Sequence, residues 1–214
     1  MGICRLPWQI VVPSSGPQLG DLEPGTLISI NENGVTVPFY VAKHDYESDL
    51  NGAGRTLVVR QDCYDERVWN SSSVNAYASC SLDSWFNSTY KALLDADIQE
   101  VIGTTKFYYT PGNGNTTVST LTRAIFALSV TELGKGNGNT EGSALPIAST
   151  LLIAYRNGSA VSQWTRSPYL QHTQRAYDIH RDGGVYDNYC TVSYGSRPAF
   201  TFPATMHPVI WEEV

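Results

Sequence analysis

The 214-residue chain is short of charge: only 16% of it is Asp, Glu, Lys or Arg, where globular proteins average about 25%. The 14 basic residues are outnumbered by 20 acidic ones, for a net charge of −6, and they form no run. Nucleic-acid binding draws on clustered Lys and Arg, so no nucleic-acid partner is expected. Long apolar runs are missing too. No window nears the roughly 18 apolar residues that a membrane span needs. Cysteine is sparse: Cys4, Cys63, Cys80 and Cys190 show neither a C-x-x-C pair nor zinc-finger spacing with histidine. Four reduced, partly buried thiols are expected, with one disulfide of unassigned pairing as the alternative.

Catalytic motifs are equally scarce. His44, His172, His180 and His207 belong to no H-E-x-x-H or H-x-H pattern. G-x-S-x-G and the P-loop are absent, the aspartates lack calcium-loop order, and the Gly/Asn repeats do not lead from a strand into a helix. No metal, no cofactor and no enzymatic activity are therefore expected. The opening residues have no basic segment followed by a long apolar one, Pro7 and Pro13 interrupt the apolar run, and Leu6 stands where a myristoylation signal needs Ser or Thr. Neither a secretory leader nor a lipid anchor is expected from them. Sequons at Asn70, Asn87, Asn115 and Asn157 follow from the sheer abundance of Ser, Thr and Asn.

What is present is polar and aromatic: 20 Ser, 19 Thr and 12 Asn, with 13 Tyr against 6 Phe. That mixture favours strands, turns and a tyrosine-rich surface. Residues 1–20 read as an arm whose apolar patch, Trp8, Ile10, Val11 and Val12, is costly to leave wet and so either lies on its own domain or docks on a partner. Residues 21–214 read as one α+β domain. Asn33-Gly34 lies between two β-rich runs, a hairpin signal, and TLVVRQD (56–62) reads as the next strand. Residues 81–102 switch to helical spacing, with Ser81 as N-cap and Leu82, Trp85, Phe86, Tyr90, Leu93 and Leu94 near one face, and with Asp95 or Asp97 as the start of a second short helix carrying Ile98, Val101 and Ile102. The last third alternates short strands with turns, and Asp182-Gly183-Gly184 marks a second hairpin. Tyr169, His172, Tyr177, His180, Tyr186, Asp187, Asn188 and Tyr189 crowd that region. Tyrosine gives a rigid amphipathic contact and amides give adaptable hydrogen bonds, so these eight are the candidate ligand-binding residues. Inward packing of half the tyrosines by strand alternation is the competing reading.

Three motifs in fixed order carry a resemblance: W-T-R-S-P-Y (164–169), A-Y-D-I-H-R-D-G-G (176–184) and Y-G-S-R-P-A-F (194–200). Upstream stand Arg60, Asp62 and Tyr64, then W-N-S-S-S-V-N-A-Y (69–77) and W-F-N-S-T-Y (85–90). Together, over roughly residues 20–203, they resemble an uncharacterised domain family of gut Gram-positive bacteria and their phages. Its closing signature is similar to the C-type-lectin-like fold of formylglycine-generating enzymes and phage variable proteins. The resemblance implies an α+β domain with twisted antiparallel strands, one or two short helices and long loops. It implies that Trp164, Arg166 and Arg197 are structural, the guanidiniums pinning loop carbonyls, with ligand binding by either arginine as the alternative. Cys190 stands without the second cysteine of a copper pair, so the enzyme branch's chemistry does not carry over, and Ser196 replaces the usual valine.

The function expected is a non-enzymatic virion protein of a tail tip, fibre or capsid decoration, assembled in the bacterial host cytoplasm. Its arm would engage other virion proteins and its domain a host-surface glycan or protein. Homo-oligomerisation is expected, because linking weak sites raises avidity by about 10²–10⁴. A bacterial surface or secreted binding module is the alternative, and an enzyme of the formylglycine-generating type ranks third.

Overall fold

The computed structural model describes residues 16–212. Trp8, Ile10, Val11, Val12 and Cys4, and with them the assembly-arm expectation, lie outside the described residues. Strand β1 (Leu27–Glu32) turns through Asn33 and Gly34, at φ 54° and 76°, into β2 (Val35–Lys43). Positive φ at both central residues is what a tight hairpin with the right twist requires. A short helix, α1 (Ser48–Asn51), precedes β3 (Arg55–Arg60) and β4 (Asp65–Val68). Helices α2 (Ser81–Trp85) and α3 (Ala96–Val101) follow. Then come β5 (Thr105–Tyr109), β6 (Ser119–Arg123), β7 (Ile125–Phe126) and helix α4 (Ala148–Leu151). The hairpin β8 (Ala154–Arg156) and β9 (Ser159–Val161) leads into β10 (Gln163–Pro168), β11 (Arg175–Ile179) and β12 (Val185–Tyr189). β13 (Ser193–Ser196), β14 (Ala199–Pro203) and β15 (Val209–Ile210) close the chain.

The strands assemble into a six-stranded sheet, β15-β1-β2-β3-β14-β7, and a five-stranded sheet, β12-β11-β10-β13-β4. Pairing is antiparallel except between β10 and β13. The molecule is thus mostly β, with a few short helices. Central strands are covered on both faces: Leu57, Val58 and Val59 of β3 are all buried, as is every residue of β10. This is why the Leu57–Val59 stretch of β3 reads as an unbroken apolar run rather than as alternation. One core joins the sheets, with Trp69, Tyr77, Phe107, Phe126, Phe200 and Phe202 fully buried in it. Each buried side chain of this size contributes about 1.5–3 kcal/mol relative to exposure.

The reading of residues 81–102 needs correction in part. A second short helix does begin after Asp95, the N-cap of α3, but a π turn (86–90) and a 3₁₀ turn (91–93) follow α2 in place of further α-helix. Leu82, Phe86, Tyr90 and Leu94 are all buried at intervals of four, which drift about 40° per step on an α-helix. A wider π turn offsets that drift and keeps the four on one face. The N-cap is Cys80, whose sulfur accepts the Asp83 N–H at 3.3 Å, while Ser81 turns its hydroxyl to Asn70. The last described residues of the 1–20 segment lie on the domain itself. Leu19 is fully buried, its N–H donates to the Met206 carbonyl at 2.7 Å, and Gly20 donates to Ala204.

Candidate functional site

Two buried arginines hold the five-stranded sheet and its loops. Arg166 on β10 makes a two-pronged ion pair with Glu132 (2.6 and 2.9 Å) and donates to the carbonyls of Tyr108 and Ala127 (both 3.0 Å). The Tyr46 hydroxyl and the Ser129 N–H also donate to Glu132. Burial opposes the Arg166 charge, but Glu132 outweighs it and holds the guanidinium above its usual value. A second buried carboxylate, Glu141, accepts from the Ser167 hydroxyl and the Thr110 N–H. Arg197 is different. It donates to the carbonyls of Arg60, Gln61 and Leu151 and to the Gln163 amide oxygen, and it belongs to no ion pair among the described residues. Burial therefore lowers its pKa. Trp164 donates its indole N–H to the Arg67 carbonyl at 2.9 Å and packs against Tyr194 with ring centroids 5.0 Å apart.

The β11–β12 hairpin sorts the eight candidate residues onto two faces. Directly opposed residues share a face, and the register pairs Tyr177 with Asp187, Arg175 with Tyr189, and Asp178 with Tyr186. One face therefore carries Tyr177, Asp187 and Tyr189. There Arg175 bonds Asp187 at 2.7 Å and lies over the Tyr189 ring at 4.5 Å, and Tyr169 meets Tyr177 edge-on at 5.3 Å. The other face carries Tyr186, Asn188 and His180, the His180 and Tyr186 rings being 5.1 Å apart. His172 joins neither group: it is exposed in the turn before β11, and its carbonyl accepts from Asn75. The structure thus places these residues on two surfaces rather than in one site.

The His180 face borders a cavity. Glu66, Ser162, His180, Arg181, Ser193 and Tyr194 line most of it, and its volume is about 330 Å³, within the usual range for small-ligand sites of roughly 300–1,000 Å³. Asp182 fixes the rim: it accepts the Gly184 N–H at 2.8 Å and stands 3.1 Å from His180 Nδ1, and both contacts lower its pKa. Asp178, fully buried next to the rim, accepts from Asn188 at 2.9 Å through one oxygen and leaves the other without a partner. Burial pushes its carboxyl above the ordinary range. Its charge also raises the Tyr194 hydroxyl, after burial. Sequence reasoning missed Asp178, Glu66 and Ser162. Asp178 had a legible signal, since period-2 alternation puts it on the face of Ala176, a carboxylate at an inward position.

A family model for a domain of unknown function, DUF6273, matches residues 53–204. The chain belongs to this family. The DUF6273 span contains the whole five-stranded sheet, both buried arginines and the His180 cavity, and it begins after β1, β2 and α1. No curated protein and no solved structure matches the chain.

Proposed function

We propose that this DUF6273 domain is a non-enzymatic, C-type-lectin-like binding domain of a bacteriophage virion protein, in a tail tip, fibre or capsid decoration. It holds a host-surface glycan or protein at the cavity beside the β11–β12 turn. The observation that carries the binding reading is a cavity lined by an aromatic (Tyr194) and convergent polar groups (Glu66, Ser162, His180, Arg181 and Ser193), with the exposed Tyr186 ring 5.1 Å from that of His180 at its border. Aromatic faces stack on sugar rings, and polar groups fix orientation. The lectin-like fold is supported by mostly antiparallel sheets, short helices and loops pinned by buried arginines. The virion setting is supported by the ordered motifs that resemble phage proteins, and copies in one particle supply the avidity that a shallow site needs.

Retention of the purified chain on envelopes of the host bacterium tests the binding reading. The wild type is retained, and Tyr186→Ala weakens retention by about tenfold, the usual cost of truncating a contact aromatic. Equal retention of the two, or none by either, contradicts it.

A further inference from the structure

A second cavity, sharing no residue with the first, lies where the β2–α1 loop meets the loops around β5 and β6. Two non-glycine residues of the β2–α1 loop have left-handed backbones, Asp45 (φ 49°) and Glu47 (φ 46°). Such conformations gather where the surroundings hold a residue for a purpose. Glu47 is only 6% exposed, and its buried Oε1 has no hydrogen-bond partner. It lines a cavity of about 390 Å³ together with Asp49, Tyr108, Val118, Thr140, Gly142 and Ser143.

The surroundings keep that carboxylate in place without satisfying it. A Cβ on Gly142 (φ 92°) would stand 2.8 Å from Glu47 Oε1 and 3.5 Å from Glu132 Oε1, so glycine leaves the room that the carboxylate occupies. The charge of Glu132 is already committed to Arg166. Lys43 turns to the Ser143 hydroxyl at 2.9 Å, and no basic side chain forms an ion pair with Glu47 among the described residues. Asp49 accepts from the Tyr108 hydroxyl. Buried carboxylates are ordinarily paired or hydrogen-bonded, and here the partner is missing from the protein itself.

We propose that this cavity binds a small organic ligand through a primary ammonium group, with Glu47 as its counter-charge and Asp49 and Thr140 as further acceptors. An ammonium brings three donors and no acceptor, which fits a wall of carboxylates and hydroxyls. Calcium takes about 6–8 oxygens, and no group of three or more His, Cys, Asp or Glu side chains is assembled among the described residues. Burial, and then the charge of Glu132, raise the Glu47 carboxyl above its ordinary range, a cost that a bound cation reverses. Glu47 and Asp49 precede the span matched by the family model, which begins at residue 53, so the carboxylates come from a part of the chain outside that span.

Calorimetric titration of the full chain with cyclohexylamine, its neutral N-acetyl analogue and calcium chloride, in wild type, Glu47→Gln and the surface control Tyr155→Ala, tests this. The amine, which carries no sugar ring, binds saturably, and its N-acetyl analogue and the Glu47→Gln variant each weaken binding by about tenfold or more. Tyr155 is exposed and lines neither cavity, so Tyr155→Ala leaves binding of the amine unchanged. Without ligand, Glu47→Gln melts no lower than wild type, because it removes an unpaired buried charge. Equal binding of the N-acetyl analogue, binding of calcium in place of the amine, or no saturable response to the amine overturns the proposal. So does a Glu47→Gln variant that melts well below wild type, the mark of a purely structural residue.

Discussion

Arg166 and Arg197 bury the same guanidinium in opposite surroundings, one against a carboxylate and the other against neutral carbonyls. Removing one member of a buried ion pair strands the other charge, at about 3–5 kcal/mol. Glu132→Gln is therefore expected to lower unfolding stability by that amount in urea titration, and a loss below about 1 kcal/mol would contradict the pairing. Asp83 gives a pH signature. Burial raises its carboxyl to about 6 despite the opposing hydrogen bond and charge of Arg123. The unfolded carboxyl ionises near pH 4, so the folded state holds an extra proton between about pH 4 and 6. Stability accordingly falls as pH rises through that window, by about 3 kcal/mol at most for a shift of this size, and levels off above it. The raised carboxyls of Glu47 and Asp178 act in the same direction. Denaturant midpoints measured from pH 4 to 7.5 should show this slope, flattened in Asp83→Asn; an unchanged slope in the variant rejects the assignment. The arginines were legible as motif residues. Glu132 and Glu141 were not, because each sits in a loop context that gives no periodicity, and only the tertiary fold brings them to Arg166 and Ser167.

Elements were legible where local chemistry decided them. Asn33-Gly34 announced its hairpin, and Asp182-Gly183-Gly184 the turn that closes with the His180 N–H on the Gly184 carbonyl at 2.8 Å. The stretch from 81 to 102 showed its buried face and the second helix that starts after Asp95, but not the π and 3₁₀ turns between, since those come from the need to keep residues four apart on that face. The split of the tyrosines between two faces of β11–β12 followed the alternation rule, but the register that pairs them was unreadable. Loop packing carries its own test. Gly112 has φ 77°, and a Cβ there would lie 1.9 Å from the Asn75 carbonyl oxygen, whereas a Cβ on Gly34 meets nothing within 4 Å. Gly34→Ala is expected to cost about 1 kcal/mol from backbone conformation alone. Gly112→Ala should cost clearly more, because the 110–115 turn must leave Asn75. Equal thermal shifts in the two variants would contradict this contact.

At the scale of the whole molecule, one core shared by two sheets supports loops that gather polar groups at two separate cavities, and no helix of the described residues is long and apolar enough to cross a membrane. Composition foretold a β-rich domain with a tyrosine-bearing surface. The proposed role in a virion is a statement about where the chain is found, so peptide mass spectrometry of purified phage particles tests it most directly. The account predicts this chain as a stoichiometric component of the particle, in a copy number matching capsid or tail symmetry. Its absence from particles, with the chain recovered from bacterial cells or medium, would contradict the virion role and favour a bacterial binding module.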